Sequence, residues 1–175
     1  MTQTPIETKT VLAISGSLQT RSSNTALIRL ASRLAGGQVQ VDVLDVLADL
    51  PYFNPELDVE PVPASVAELR ARVGAADGVL IASPEYAHEM PGVLKNALDW
   101  LVSSGELYDK RVAVLCASPA AERGTYVREA LGRTLGAQGA RVVVSATLAV
   151  PPRGADDPPS EVVHGVRSAL EALTG

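Results

Sequence analysis

Short apolar segments alternate along the chain with longer segments in which apolar residues recur every three or four positions. The apolar segments are rich in Val, Ile and Leu and predict strands at residues 10–15, 38–44, 78–82, 110–117 and 140–145. The longer spacing predicts helices at residues 24–34, 65–76, 92–102, 125–137 and 160–173. Strict alternation predicts an α/β fold, a doubly wound five-stranded parallel sheet with helices on both faces.

Local signals refine these elements. Ser65 and Glu68 have the spacing of a capping box at the start of the second helix. Val39, Val41 and Val43 alternate with polar residues, which favours an edge position for the second strand. Residues 45–64 hold four prolines and are predicted to form a loop.

Composition fits one domain spanning residues 1–175, with a flexible N-terminus at 1–9 and a Pro-rich spacer at 151–159 before the last helix. The net charge of −5 disfavours nucleic acid as a partner, and no apolar run is long enough to cross a membrane. Cys116 is the single cysteine, and the first ten residues do not resemble a signal peptide, so we expect a cytoplasmic protein.

Ligands of doubly wound sheets bind beyond the carboxyl ends of the strands, which directs attention to residues 16–23, 83–91 and 118–124. The first of these loops is dense in hydroxyl groups and leads into a helix, a combination that suits a phosphate. The alternative is that Ser23 or Asn24 only caps the helix. The loop has neither the GxGxxG pattern nor a Walker pattern.

The second loop is bracketed by Pro84 and Pro91, which stiffen its backbone at both ends. A flat ring laid against it would find backbone N–H and C=O groups, with Tyr86 nearby. The alternative is a plain strand-to-helix connection in which Tyr86 covers the end of the sheet.

Two motifs carry a resemblance to a known family. Ser15-Gly16-Ser17 with Ser22 and Asn24 forms the first motif, and the second joins Pro84-Glu85-Tyr86 to the run PGVLKNALDW at residues 91–100. Together they resemble the NAD(P)H-dependent FMN reductase family of flavodoxin-like proteins, over about residues 10–150.

The resemblance implies a flavodoxin-like fold and a non-covalently bound FMN, with its phosphate at the first loop and its isoalloxazine edge along the second. The residues implied to bind the cofactor are Ser15, Ser17, Gln19, Ser22, Ser23, Asn24, Pro84, Glu85, Tyr86, Ala87 and Ser118. Three features depart from the family pattern. Gln19 stands where Arg is usual, Ala87 stands where Asn is usual, and the loop from Ser118 to Gly124 has fewer glycines.

The implied activity is transfer of hydride from NAD(P)H through FMN to a small-molecule electron acceptor, such as a quinone, a flavin, an azo dye or a metal oxyanion. Because the cofactor carries this chemistry, no catalytic residue is predicted. The resemblance also suggests a homodimer or a dimer of dimers in which a partner subunit covers the ring. A flavodoxin-type electron carrier and a family member without FMN are the alternatives.

Single residues admit competing interpretations. Cys116 fits a buried apolar residue better than a nucleophile, and His88 and His164 lie too far apart to indicate a metal site. Glu85 is a candidate acid or base, or a side chain bonded to its own loop or to a second subunit. Lys95, Asn96 and Asp99 form either a solvated helix face or part of a dimer contact. Four aromatic residues follow strand ends, and we expect Tyr86 to border the cofactor site and Tyr52 or Phe53 to form its rim or a subunit contact; these four are Tyr52, Phe53, Tyr86 and Tyr126.

Overall fold

The computed structural model describes residues 8–120, 123–150 and 157–175. The strands are β1 (Lys9–Ser15), β2 (Val39–Leu44), β3 (Gly78–Ala82), β4 (Arg111–Ser118) and β5 (Arg141–Ala149). The α-helices are α1 (Ser23–Leu34), α2 (Ala64–Ala75), α3 (Gly92–Asp99), α4 (Thr125–Ala137) and α5 (Ser160–Thr174). The predicted flexible start and Pro-rich spacer lie largely outside the described residues.

All strand pairs are parallel, and the strand order is β2-β1-β3-β4-β5. The predicted α/β fold is therefore confirmed, and β2 lies at an edge as its alternating pattern indicated. The chain first adds β2 on one side of β1 and then returns to add β3 on the other. The direction of winding thus reverses between β1 and β3, which is where open α/β sheets bind their ligands.

Two aliphatic cores cover the two faces of the sheet. Leu12 and Ile14 of β1 pack in the core that includes α2, α3 and α4. Val11 and Ala13, which alternate with them, pack in the core that includes α1 and α5. Burial on both faces explains why the central strands are apolar at consecutive positions. None of the described helices has the length and apolarity needed to cross a bilayer.

The capping box predicted at Ser65 and Glu68 is wrong. Helix α2 begins at Ala64 after Pro63, so Ser65 lies inside the first turn rather than at the N-cap. Its hydroxyl donates to the carbonyl of Asp49 at 3.1 Å, and Glu68 pairs with Arg72 one turn on. The N-cap is Pro63, two residues before Ser65, and the fixed φ of proline suits the start of a helix.

Most element ends lie within one residue of the predicted ones, and larger differences occur in three places. The Pro-rich loop contains two short 3₁₀ helices, Val46–Asp49 and Pro55–Leu57. Helix α3 ends at Asp99 rather than at residue 102, and a turn follows. Strand β5 extends to Ala149 because its second half pairs with the last residues of β4.

Candidate functional site

The carboxyl ends of β1, β3 and β4 are joined by hydrogen bonds that continue past the strands. The amide of Gly16 donates to the carbonyl of Ala82 at 2.8 Å, and the amide of Ser83 donates to that of Leu115 at 2.9 Å. A Cβ on Gly16 would lie 3.0 Å from the hydroxyl oxygen of Ser83, so glycine permits this close approach. The loops after β1 and β3 therefore leave the sheet side by side.

The first loop, residues 16–22, is organised by its serines. The Ser22 hydroxyl caps α1 by accepting from the amides of Asn24 and Thr25 at 3.2 and 3.5 Å. Ser15 and Thr25 share a hydrogen bond of 2.8 Å between their hydroxyls. The Ser17 hydroxyl accepts from the Gln19 amide at 3.2 Å. The residue that caps α1 is thus Ser22, and not Ser23 or Asn24 as the alternative interpretation of the sequence held.

Donors are left over in this loop. The backbone N–H groups of Leu18, Thr20, Arg21 and Ser23 have no acceptor within the described parts of the chain. They precede or begin α1, where the helix dipole is positive. The loop can therefore donate several hydrogen bonds to an anion.

Asn24, in the first turn of α1, connects the start of that helix to the end of β4, where Ser118 lies. Asn24 is buried, and its Oδ1 accepts from the Ala117 amide at 2.8 Å. Its Nδ2 has no acceptor among the described residues, so half of the side-chain amide is left for a ligand. Ser118 is also buried and is the last residue of β4, rather than the first residue of a free loop.

The second loop is held by a tight hairpin turn. The amides and carbonyls of Tyr86 and Glu89 exchange hydrogen bonds of 2.9 and 3.0 Å. The two residues between them, Ala87 and His88, have φ values of 50° and 64°. Two positive φ values define a type I′ turn, which normally carries Asn and Gly. The backbone from Tyr86 to Glu89 is therefore fixed by its own turn.

Glu85 bonds outside this turn. Its Oε2 accepts from the amide of Val127 at 3.1 Å, and its Oε1 lies 3.7 Å from Nδ1 of His88. The principal partner of Glu85 is therefore the first turn of α4. The sequence had suggested its own loop or a second subunit instead. The contact to His88, in its own loop, is the longer one.

The environment of Cys116 and the positions of the histidines bear on the candidate nucleophile and metal site. Burial, with the charge of Glu85 added, raises the pKa of the Cys116 thiol to about 11, so the thiol is not a nucleophile at neutral pH. The interpretation of Cys116 as a buried apolar residue fits this environment. Within the part of the chain that the structure describes, His, Cys, Asp and Glu form no group of three suited to a metal.

Asn96 has a role that the sequence did not reveal. Its side-chain amide accepts from the Phe53 amide at 2.7 Å and donates to the Pro51 carbonyl at 2.9 Å. Nε1 of Trp100 donates to the same carbonyl at 2.9 Å, and the Trp100 ring meets Phe53 edge-on. Interpreting Asn96 as part of a solvated face is therefore wrong. Tyr52 lies between Pro51 and Phe53, which Asn96 holds, and its side chain is 91% exposed.

A family model described as NADPH-dependent FMN reductase matches residues 10–153 of the chain. The chain belongs to the NADPH-dependent FMN reductase family.

Relatives of this reductase family are similar over their shared core. The chain is 39% identical over 118 residues to a probable NADPH:quinone oxidoreductase 2 of Oryza sativa, covering 66% of this chain and 58% of the relative. It is 38% identical over 92 residues to the quinone reductase of Escherichia coli K12, covering 52% and 49%. The match therefore spans about half the length of these curated relatives.

The fold is shared with a solved oxidoreductase structure. The flavoenzyme NAD(P)H:(acceptor) oxidoreductase FerB from Paracoccus denitrificans aligns with a TM-score of 0.76 and 26% identity, over 94% of this chain and 97% of that one. The flavodoxin-like architecture and the resemblance found in the two motifs are both confirmed.

Proposed function

We propose that the chain, acting as a single FMN-binding domain over residues 1–175, is an FMN-dependent NAD(P)H oxidoreductase that reduces a quinone, a flavin, an azo dye or a metal oxyanion. One observation carries the proposal. The donor-rich loop after β1 and the rigid hairpin after β3 lie side by side, at the point where the direction of winding reverses. Open sheets with this strand order bind their ligands at that point, as flavodoxin binds FMN. Membership of the family favours a reductase over an electron carrier.

The first loop fits the phosphate and the ribityl chain. The cofactor site on this side comprises Ser15, Ser17, Gln19, Ser22, Ser23 and Asn24. The unpaired N–H groups donate to phosphate oxygens without requiring a positively charged side chain, which suits a protein of net charge −5. Gln19 in place of the usual Arg leaves this backbone contribution intact.

The second loop fits the polar edge of the isoalloxazine. Flavin presents N–H and C=O groups along that edge, which we place against the backbone of Pro84, Glu85, Tyr86 and Ala87. Both main-chain groups of Tyr86 bond to Glu89, so within the described residues the N–H and C=O groups of Glu85 and Ala87 are the ones left to pair with the ring. Ala87 has no side-chain donor, so recognition at this position uses the main chain. Ser118 closes the site from the end of β4.

When bound, FMN supplies the hydride and electron chemistry. The chain contributes position: it holds the ring against a stiff backbone and limits the access of water. No acid or base is assigned. Tyr86 is 54% exposed and remains our candidate for the border of the site.

A partner subunit would complete this site. Leu18, Tyr86 and Tyr126 come from three segments that follow β1, β3 and β4, and each is more than half exposed. Apolar side chains exposed together at a ligand edge are suited to cover by a protein surface. We therefore propose a homodimer or a dimer of dimers. We also propose a cytoplasmic location, since the single Cys116 is buried and cannot form an intramolecular disulfide.

The test is a spectrum of the protein as purified, followed by FMN titration and steady-state oxidation of NADH and NADPH with a benzoquinone. A flavin spectrum with turnover is the expected result. Bound FMN without NAD(P)H consumption would indicate an electron carrier, and failure to bind FMN would indicate a member that has lost its cofactor. Light scattering tests the dimer, and a monomer with full activity would contradict it.

A further inference from the structure

Helix α4 begins without a side-chain cap of its own. Its N-cap is Gly124, and its first turn carries no acidic residue. Gly124 has a φ of 82°, and a Cβ there would lie 2.6 Å from the sulfur of Cys116. A capping Ser, Asp or Asn therefore does not fit at this position, although the first amides of a helix need an acceptor.

Glu85 supplies the missing acceptor from a segment 42 residues away in sequence. Its Oε2 accepts from the amide of Val127, the third residue of α4, and its side chain is 21% exposed. A carboxylate at this place also interacts favourably with the positive end of the helix dipole.

The same carboxylate stands at the start of the hairpin that we propose to lie along the flavin. Glu85 precedes Tyr86, whose main chain closes the turn with Glu89. A second contact joins the hairpin to α4. The ring of His88 meets the ring of Tyr126 edge-on, with 4.3 Å between their centroids. Glu89 of the hairpin also lies near α4, with its Oε1 3.7 Å from a guanidinium nitrogen of Arg133. Glu85 provides the hydrogen bond between the two segments.

We propose that Glu85 is a positioning residue, whose carboxylate caps α4 and thereby fixes the hairpin of residues 86–89 relative to the flavin. Glu85 acts by holding the main chain of the hairpin in place, and it neither donates nor accepts a proton in the reaction. The effect on flavin rests on the proposed function, whereas the coupling between hairpin and helix does not.

The coupling is tested on flavin-free protein. Amide hydrogen exchange is measured by NMR for Val127, Tyr86 and Glu89 in Glu85→Ala, Glu85→Gln and Glu129→Ala. Glu129 is an exposed acid of α4 with no partner among the described residues, so its variant controls for the loss of one charge. We expect all three amides to exchange about tenfold faster in Glu85→Ala, because loss of a cap has effects of this size. Glu85→Gln retains a carbonyl acceptor and should restore most of the protection.

The second arm measures the FMN dissociation constant and the midpoint potential of bound FMN. Glu85→Ala should raise the dissociation constant about tenfold and shift the potential, Glu85→Gln should lie within about threefold of the parent, and Glu129→Ala should match it. Circular dichroism confirms that each variant is folded.

Two results would overturn the proposal. Faster exchange at Val127 with unchanged exchange at Tyr86 and Glu89 would limit Glu85 to the helix. Equal dissociation constants and potentials in Glu85→Ala and Glu129→Ala would remove the role toward flavin. If the parent protein binds no FMN, the proposed function fails, and the exchange of the hairpin amides still decides whether Glu85 couples hairpin and helix.

Discussion

One methyl group added at Gly124 should cost stability both through the backbone angle and through overpacking. The residue has a φ of 82°, and a Cβ would approach the Cys116 sulfur to 2.6 Å and the Thr147 hydroxyl oxygen to 3.0 Å. Left-handed backbone costs about 1–2 kcal/mol for an alanine, and overpacking of a well-packed site costs about 1–3 kcal/mol. We expect Gly124→Ala to lower the free energy of unfolding by about 2–5 kcal/mol.

A double-mutant cycle separates the two contributions. Cys116→Ala removes the sulfur that the new methyl group would meet, but it leaves the backbone angle as it is. The cost of Gly124→Ala should therefore fall by at least about 1 kcal/mol in the Cys116→Ala background, within the usual range for residues in contact. The remaining cost reports the backbone angle and the contacts to the Thr147 hydroxyl oxygen and to the Cβ of residue 116, which alanine retains.

Urea denaturation followed by circular dichroism is the assay. Gly132→Ala is the matched control, since Gly132 lies within α4 and a Cβ there meets nothing within 4 Å. This control should gain about 0.5–1 kcal/mol from helix propensity. If Gly124→Ala unfolds at the urea concentration of the parent, or if its cost is the same in both backgrounds, the close packing of Gly124 against Cys116 is refuted.

Three further predictions concern the loops and the core. Ala87→Asn should raise the melting temperature, with a gain of about 0.5–1 kcal/mol because Asn tolerates a φ of 50° better than Ala; an Ala87→Val protein of equal stability would contradict this. Asn96→Ala should lose about 1–3 kcal/mol in urea melts by leaving the Phe53 amide unpaired, while Lys95→Ala stays within about 0.5 kcal/mol. Because the pKa of Cys116 is raised to about 11, its contribution to stability is complete below the unfolded pKa of roughly 8.5 and declines as pH rises through 11. The free energy of unfolding, measured in urea at several pH values, should fall more steeply with rising pH in the parent than in Cys116→Ala. The same dependence on pH in both proteins would show that the thiol is not buried as described.

The order of elements was predictable because it depends on local patterns. Central strands buried on both faces are apolar at consecutive positions, and the helices carry one apolar stripe each, so the α/β alternation is visible in single segments. Strand β5 was harder to delimit. Its second half has Ser145 and Thr147 between apolar residues, a pattern that an exposed edge strand tolerates.

The contacts of Glu85 and Asn96 were not predictable, since their partners are distant in sequence. Glu85 bonds to Val127, and Asn96 bonds to Pro51 and Phe53 across the end of the sheet. A helix pattern shows that Asn96 is off the apolar stripe, but it does not show what covers it. The one available hint for Glu85 was the absence of any capping side chain at the start of α4.

Trp100 gives the chain a built-in optical reporter. It is the single tryptophan, it is fully buried, and it contacts both Pro51 and Phe53. Its emission therefore has one origin, and loosening of the segment around Tyr52 would change that emission without any label being attached. Flavin absorbs where tryptophan emits, so quenching of Trp100 on addition of FMN would provide a measurement of binding by resonance energy transfer in the unmodified protein.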